Sequence, residues 1–583
     1  MINIKINNKK YSVNPGQTIL EVASENNIKI PSLCHHPDVK ARASCRICVV
    51  EIEGMNKLQT ACSTIVKEEM VILTESPRIE KARNLNIELI FASHIEKCGN
   101  CTSRFNCGLL KLARDHKIVM TRFTDRKSKR KTYKFANAVE IDGTQCIDCS
   151  NCIEACHRQG IDFLRLEGNG ASQEIKAVRD KNHACIYCGQ CTNVCPVASA
   201  QEQYEFQAVE QDLKNPSKIV VAQFAPAVRV SLGEEFGLPY GTNCTKKINT
   251  SLKKLGFDYI FDINFGADIT TMTEATELLE RLDSEKKNKT AEKKGHKKTS
   301  LPMFTSCCPA WVAYVEFYYP ELIPYLTTAR SPHMHSAGAI KSYFASKHKI
   351  NSKDIVVVSI VPCTAKKYEA SRPELFYKKQ PLVDHVLTTR EFAFMLKKGA
   401  IDFKSLPDSE TEALFNDGSG AAAIYGASGG VMESALRSAV SLDLNNCKTK
   451  KTAKNKLSAA RLEFSEVRGL KGIKEATVSV AGKRLKVAVV SGINNFKRLL
   501  PKLTKYHYIE VMACPGGCLG GGGQPFPTTD FIRRKRLEGM YALDESKDLR
   551  RAHENKKMID YYDWVKKNNL SPSLLHTSFF PKK

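Results

Sequence analysis

Cysteine carries the chemistry of this chain. The 583 residues include 22 cysteines, most of them in tight groups with C-x-x-C spacing spread over the whole length. A disulfide framework belongs to a short secreted chain with an apolar leader. This chain is long, and Met1–Lys10 is polar and basic, so the thiols are expected to be reduced and bound to metal. Four thiolates can hold either one zinc ion or one iron–sulfur cluster, and spacing is the means of telling them apart.

Cys146, Cys149, Cys152 and Cys156 read C-x2-C-x2-C-x3-C; Cys185, Cys188, Cys191 and Cys195 repeat the run and end in Cys195-Pro196. This is the spacing of bacterial ferredoxins with two 4Fe–4S clusters, in which the last cysteine of each run ligates the other cluster. The expected sets are Cys146, Cys149, Cys152 with Cys195, and Cys185, Cys188, Cys191 with Cys156. Paired zinc sites are the alternative. Upstream, Cys34-x10-Cys45-x2-Cys48-x13-Cys62 resembles the plant-type 2Fe–2S pattern with altered spacing, again with zinc as alternative. His94-x3-Cys98-x2-Cys101-x5-Cys107 gathers four candidate ligands within 14 residues. Imidazole can replace a thiolate on iron, but spacing alone leaves an ordinary histidine open. A chain with this many relays is expected to end in a redox reaction.

Three further motifs each follow a predicted strand: MFTSCCPAW with Cys307 and Cys308, IVVVSIVPCTAKKYEA with Cys363, and YIEVMACPGGCLGGGGQP with Cys514 and Cys518. In open α/β sheets ligands gather beyond the carboxyl ends of strands, so these cysteines are expected to converge. Gly516, Gly517 and Gly520–Gly523 are expected to let backbone approach a bulky cofactor. A phosphate-binding loop is the alternative, but no Gly-Lys-Ser/Thr follows. Adjacent Cys307 and Cys308 can hardly both bind one iron. One is expected to ligate while the other stays a thiol that shuttles protons, titrating near about 8.5 if unperturbed; the plainer reading is a small buried residue.

The elements that must carry these groups are legible as patterns. Ile2, Ile4 and Ile6 alternate as a strand, Asn8 begins a turn, Tyr11–Val13 return, and Thr18 caps a helix from Ile19. Ser76–Arg126 is helical in pattern. From Lys218 on, strand-like runs (Ile219–Phe224, Met303–Thr305, Ile355–Val361, Leu485–Val490, Tyr508–Met512) alternate with helical ones, which predicts α/β layers. From about Asp530 the chain is charged and helical. Glu274 and Glu277 share one face of a predicted helix, with Arg281 four residues on; a solvated helix with an ordinary ion pair is the plain reading.

At roughly 150 residues per domain the length predicts about four domains. No run of about 18 apolar residues predicts a membrane span. The formal charge of +26 is offset in part by the negative charge of thiolate-bound clusters, and in part lies in the lysine-rich segments Ser284–Thr299 and Lys448–Lys456, read as surface insertions. No interleaved aromatic–basic pattern points to nucleic acid.

The double cysteine, VPCTAK and the final GGGGQP, in that order, resemble the three H-cluster signatures of the iron–iron (FeFe) hydrogenases. The resemblance spans nearly the whole chain, including the four accessory motifs, FGADITTMTEATELLERL, GSGAAAIYGASGGVMESALR and the tail near SLLHTSF. It implies a multidomain α+β and α/β architecture: a 2Fe–2S ferredoxin-like domain (1–77), a helical 4Fe–4S segment with one histidine and three cysteine ligands (78–126), a two-cluster bacterial-ferredoxin-like domain (127–211), a two-lobed α/β catalytic domain (212–529) and a helical small-subunit-like tail (530–583). It implies one 2Fe–2S cluster, three accessory 4Fe–4S clusters and an H-cluster, a 4Fe–4S cube joined to a two-iron subsite carrying carbonyl, cyanide and a bridging dithiolate. Matched motifs assign Cys308, Cys363 and Cys514 to the cube, Cys518 to the bridge between cube and subsite, Cys307 to proton relay, Lys366 to a cyanide, and Glu274, Thr327, Glu277 and Arg281 to the proton path. Cys244 and Cys447 are left over as structural.

The sequence departs from the family at Thr327 (usually serine), Val361 (usually methionine) and His333-Met334-His335-Ser336 (usually glutamines and phenylalanine), which puts the packing around the cofactor in question. The resemblance implies proton reduction to H2, or its reverse, with an acidic ferredoxin as electron partner and dedicated maturation enzymes. A hydrogenase subunit of a larger NAD(P)-linked or electron-bifurcating complex is the second reading. A non-catalytic iron–sulfur sensor or assembly protein is the third, disfavoured by Cys307 and the accessory motifs, and a respiratory NADH dehydrogenase subunit, which the last three motifs do not fit, is the fourth. Neither nucleic acid nor membrane is expected as partner. With no Arg/Ser-rich presequence, a cytoplasmic protein or one matured in a hydrogenosomal or mitochondrial-type matrix is expected.

Overall fold

The computed structural model describes the chain except residues 179, 181, 292–300, 416–417, 446–463, 481–482 and 583. Cys447, Lys448–Lys456 and the second half of the first lysine-rich segment lie outside the described residues; the first half of that segment continues the helix Ile263–Ala291.

The N-terminal alternation forms β1 (Ile2–Ile6), which buries Ile4 and Ile6. Asn7 and Asn8, both at positive φ, turn it into β2 (Lys9–Val13), a role for which asparagine is well suited. Thr18 caps the helix Ile19–Glu25 in a capping box with Glu21. With β3 (Val49–Ile52), β4 (Gln59–Thr60) and β5 (Val71–Leu73) the sheet runs β2-β1-β5-β3-β4.

The next segment is less helical than its pattern predicts. Helices Pro77–Phe91 and Gly108–Asp115 flank two tight 3-10 turns, Ile95–Asn100 and Thr102–Phe105, around Cys98 and Cys101. Beyond Asp115 the chain leaves the helix through Lys117, at positive φ. It is then held irregularly by Glu88, which accepts from the backbone of Thr121 and Arg122 at 3.2 and 3.0 Å.

The tandem cysteine runs sit among β6 (Thr132–Phe135), β7 (Val139–Asp142), β8 (Leu164–Glu167), β9 (Glu174–Ala177) and β10 (Ala200–Glu202), in a three-stranded sheet β10-β7-β6 and a hairpin β8-β9.

The large C-terminal part carries β11 (Ile219–Phe224), β12 (Tyr259–Asp262), β13 (Met303–Phe304), β14 (Ile355–Val361), β15 (His385–Thr388), β16 (Ile473–Val480), β17 (Lys483–Ser491) and β18 (Tyr508–Met512). They form two sheets, β12-β11-β14-β15 and β13-β18-β17-β16, so this part is two-lobed. Every residue of β14 is buried, as fits a parallel strand flanked by β11 and β15. The helix Ile263–Ala291 packs against both Pro332–Ala339 and Gly430–Asn445. The tail forms helices Asp530–Glu545, Lys556–Lys567 and Ser571–Leu574 and returns to the catalytic part, where Leu575 accepts from Arg330 N and pairs with His335 Nε2, both at 3.1 Å. Among the described residues no helix is long and apolar enough to cross a membrane.

Candidate active site

The three late cysteine motifs converge, but not at the edge of one sheet. Cys307 and Cys308 follow β13 and Cys514 follows β18, neighbours in one lobe, whereas Cys363 follows β14 of the other. The cleft between the lobes collects them. A cavity of about 80 Å³ is lined by Cys307, Cys308, Cys363, Cys514, Cys518 and Lys366. The rest of its wall is mostly small or apolar, including Val361 and Met512. Burial pushes the thiols of Cys308, Cys363, Cys514 and Cys518 up, Cys363 to about 12. Uncompensated thiolates would be costly there, so the donor set suits a polynuclear cation. Among the described residues no three His, Cys, Asp or Glu side chains are placed to hold a single metal ion; the thiols ring a space rather than a point.

Gly517 and Gly521 line the cavity, and the glycines of this loop also meet neighbouring backbone. A Cβ on Gly521 would lie 2.1 Å from Pro362 O, and one on Gly522 would lie 2.5 Å from Gly189 Cα. These missing side chains make room for neighbouring backbone. Gly522 meets Gly189, between Cys188 and Cys191, and so joins the active-site loop to the tandem-run domain. Gln190 Nε2 donates to Gly520 O at 2.9 Å, Asn193 Nδ2 to Gly521 O at 3.0 Å, and Thr364 Oγ1 to Tyr187 O at 2.7 Å.

Cys307 is buried, and burial, with Glu274 adding to it, holds its thiol well above the ordinary range. It is therefore a neutral S–H donor rather than the near-neutral titrating thiol expected from its residue type. Lys366 Nζ donates to Cys307 O at 3.2 Å and to Glu369 Oε2 at 2.6 Å. Burial opposes the ionisation of Glu369, but Lys366 and His333 outweigh it and hold the carboxyl down to about 2. Burial likewise opposes the Lys366 charge, and Glu369 reverses this.

Glu274 and Glu277 do lie on one helix, in different surroundings. Glu274 is fully buried; Tyr508 donates to its Oε2 at 3.0 Å, and among the described residues its Oε1 has no hydrogen-bond partner. Burial raises it to about 8. Glu277 accepts from Thr327 Oγ1 at 2.7 Å, Thr328 N at 2.9 Å and Arg281 Nε at 3.0 Å. Arg281, Glu277 and Thr327 are thus contiguous, while Glu274 stands inward beside Ser306 and Cys307. Tyr508, Glu369 and His333 are site residues that the sequence did not single out by function. Glu369 had a signal, three residues after Lys366 on a helical pattern; His333 was marked only as a departure from the family in the packing around the cofactor, and Tyr508 had no local signal. His335 is satisfied by Thr270 at 2.8 Å and by Leu575.

The upstream cysteines stand close to one another in groups. Burial pushes up Cys149 and Cys152, and Cys195 adds to both. It does the same to Cys185, Cys188 and Cys191, where Cys156 adds. The last cysteine of each run thus stands with the other run. Cys34 pairs with Cys45 and Cys48 with Cys62, all buried. Cys98, Cys101 and Cys107 stand together. His94 is buried with Nε2 unpartnered, and is kept neutral, at about 4, first by burial and then by Lys97. The Cys98 thiol lies 3.5 Å from the His94 carbonyl oxygen, and a neutral imidazole nitrogen has the chemistry of an iron ligand. The sets also adjoin one another: Cys45 acts on Cys149, Cys188 acts on Cys514, and the Cys514 thiol lies 3.9 Å from Cys188 O. Cys244 is buried against Gly233, apart from every set.

Residues 218–522 match the family of the iron-only hydrogenase large subunit, C-terminal domain; 1–77 match the 2Fe-2S iron-sulfur cluster binding domain, 145–199 the 4Fe-4S dicluster domain, and 530–582 the iron hydrogenase small subunit. The chain is 38% identical over 600 residues to the NADP-reducing hydrogenase subunit HndD of Solidesulfovibrio fructosivorans, covering 100% of this chain and 99% of that one. It is 38% identical over 580 residues to iron hydrogenase 1 of Clostridium pasteurianum, covering 96% of each. The structure of apo FeFe-hydrogenase HydA1 from Chlamydomonas reinhardtii superposes with a TM-score of 0.55 at 38% identity, over 64% of this chain and 98% of that one. From its clustered thiols to these matches, the chain belongs to the FeFe hydrogenase family, with 2Fe–2S, 4Fe–4S, catalytic and small-subunit domains in one polypeptide.

Proposed function

We propose that this chain is a ferredoxin-linked hydrogenase, reducing protons to H2 or running the reverse. The observation that carries this is the single cavity lined by Cys307, Cys308, Cys363, Cys514, Cys518 and Lys366. Cys308, Cys363, Cys514 and Cys518 would hold the H-cluster. When bound, that group supplies the redox-active irons and the open position at which H2 is made or split. The protein supplies the rest. Lys366, held by Glu369, would offer a charge-assisted hydrogen bond to a cyanide of the bound group. Cys307, a neutral thiol, passes a proton to or from the cofactor. Glu274, with a raised pKa, exchanges that proton, and Thr327, Glu277 and Arg281 lead it outward.

Electrons arrive through three 4Fe–4S clusters and one 2Fe–2S cluster. His94 ligates with Cys98, Cys101 and Cys107; the tandem runs hold two clusters in the crossed sets; Cys34, Cys45, Cys48 and Cys62 hold the last. The +26 formal charge suits steering of an acidic ferredoxin. The two-iron subsite comes from maturation enzymes, and a cytoplasmic or organelle-matrix location suits a reduced protein of this kind.

A second reading is favoured by the full-length similarity to an NADP-reducing hydrogenase subunit: the chain is one subunit of an NAD(P)-linked complex. Anaerobic H2 evolution by the matured protein alone separates the two. Turnover with reduced ferredoxin supports the first reading. Turnover only after flavin- and nicotinamide-binding subunits are added supports the second, and none with either donor or with reduced viologen contradicts both.

A further inference from the structure

Behind Lys366 a chain of polar groups crosses an otherwise apolar core. Gln223 on β11 and Ser359 on β14 are register partners, both fully buried in strands whose other residues are apolar. Buried polar groups are costly unless bonded, and these are bonded in one direction. Gln223 Nε2 donates to Ser359 Oγ at 2.5 Å and to His333 O at 2.9 Å. Its amide thereby occupies the Ser359 oxygen as acceptor and leaves that hydroxyl proton for His333 Nδ1, 3.3 Å away. An imidazole that accepts at Nδ1 carries its proton on Nε2, and His333 Nε2 lies 2.6 Å from Glu369 Oε2. The same carboxylate oxygen receives Lys366 Nζ, whose ammonium also bonds Cys307 O and lines the cavity.

We infer that His333 is a positioning residue: Gln223 and Ser359 fix its tautomer, it locks Glu369, and Glu369 aims the Lys366 ammonium at the two-iron subsite. This rests on reading the cavity as the H-cluster site. Burial, followed by the Lys366 charge, keeps His333 neutral, at about 4, so Glu369 and Lys366 carry the charge in this row of polar groups. Partners one step behind a metal site set the orientation of the groups that face it.

The test uses the full chain loaded with its cubes and given a synthetic two-iron carbonyl–cyanide complex with a bridging dithiolate. Infrared spectroscopy follows uptake and the cyanide bands. In His333→Phe, uptake falls about 10–100-fold and the cyanide bands shift, because Lys366 is no longer held. His333→Gln, whose amide N–H can replace the Nε2 donor, keeps the bands close to those of the unsubstituted protein. Ser359→Ala releases the tautomer and shifts them in the same sense as His333→Phe. Accessory-cluster content reports folding, and where His333→Phe fails to assemble, Ser359→Ala carries the test. Unchanged uptake and bands in the assembled variants would overturn the inference alone. No carbonyl or cyanide bands in the unsubstituted protein would overturn the reading beneath it, and the inference with it.

Discussion

Tyr508 donates a 3.0 Å hydrogen bond to the buried carboxyl of Glu274, linking a strand of one sheet to the long helix that also carries Glu277. Tyr508 favours the ionised form of Glu274, while burial, the larger effect, favours the neutral acid at about 8. A carboxyl poised there can both give and take a proton near neutrality. Tyr508→Phe removes the bond that lowers this value, so the value rises further. We expect the pH profile of turnover to move to higher pH, measured as H2 evolution across pH with a fixed donor; an unmoved profile contradicts the role of Glu274.

The same group gives a stability prediction. Between the ordinary carboxyl value of 4.5 and about 8, the folded protein holds a proton on Glu274 that the unfolded chain has released. Stability therefore falls as pH rises through that window. Glu274→Gln cannot ionise, so its stability, from denaturation midpoints across pH, should fall less steeply there, while turnover drops about 10²–10⁴-fold.

Cys307→Ala should abolish turnover to a similar extent and leave the H-cluster in place. Iron content and carbonyl bands unchanged with activity lost is the expected pattern. Retained full turnover refutes the relay.

Much of this was legible in the sequence, and the reason is local. The Thr18–Glu21 cap, the β1 alternation and the apolar run of β14 are short-range patterns that the fold keeps. The crossing of Cys156 and Cys195 follows from ligand spacing. What escaped depends on distant partners: Tyr508 meets Glu274 across 234 positions, and His333 meets Glu369 across 36. The glycines were legible only in part, because their type permits close approach without naming what approaches: Gly517 and Gly521 line the cavity. For Gly522 it is Gly189, not cofactor.

That contact makes its own prediction. A methyl at Gly522, 2.5 Å from Gly189 Cα, must push the active-site loop from the tandem-run domain. Gly522→Ala should cost about 1–3 kcal/mol by overpacking. It should also slow ferredoxin-driven turnover more than turnover driven by a small viologen that can reach the active site directly. Equal slowing with both donors contradicts an electron route through this contact.

His94→Ala leaves three thiols in its set and should remove one accessory cluster, with iron and sulfide content falling while the H-cluster bands stay. His94→Cys should restore the iron. Unchanged iron content in His94→Ala means that the orphaned Nε2 serves no metal.

Thiols from two lobes should grip one cofactor in the cavity beside Lys366. Infrared spectroscopy of the cube-loaded chain after addition of the two-iron complex tests it most directly. Carbonyl and cyanide bands should remain after gel filtration in the unsubstituted protein and be missing in Cys518→Ala with accessory clusters intact. Bands that wash away from the unsubstituted chain, or that persist without Cys518, would contradict it.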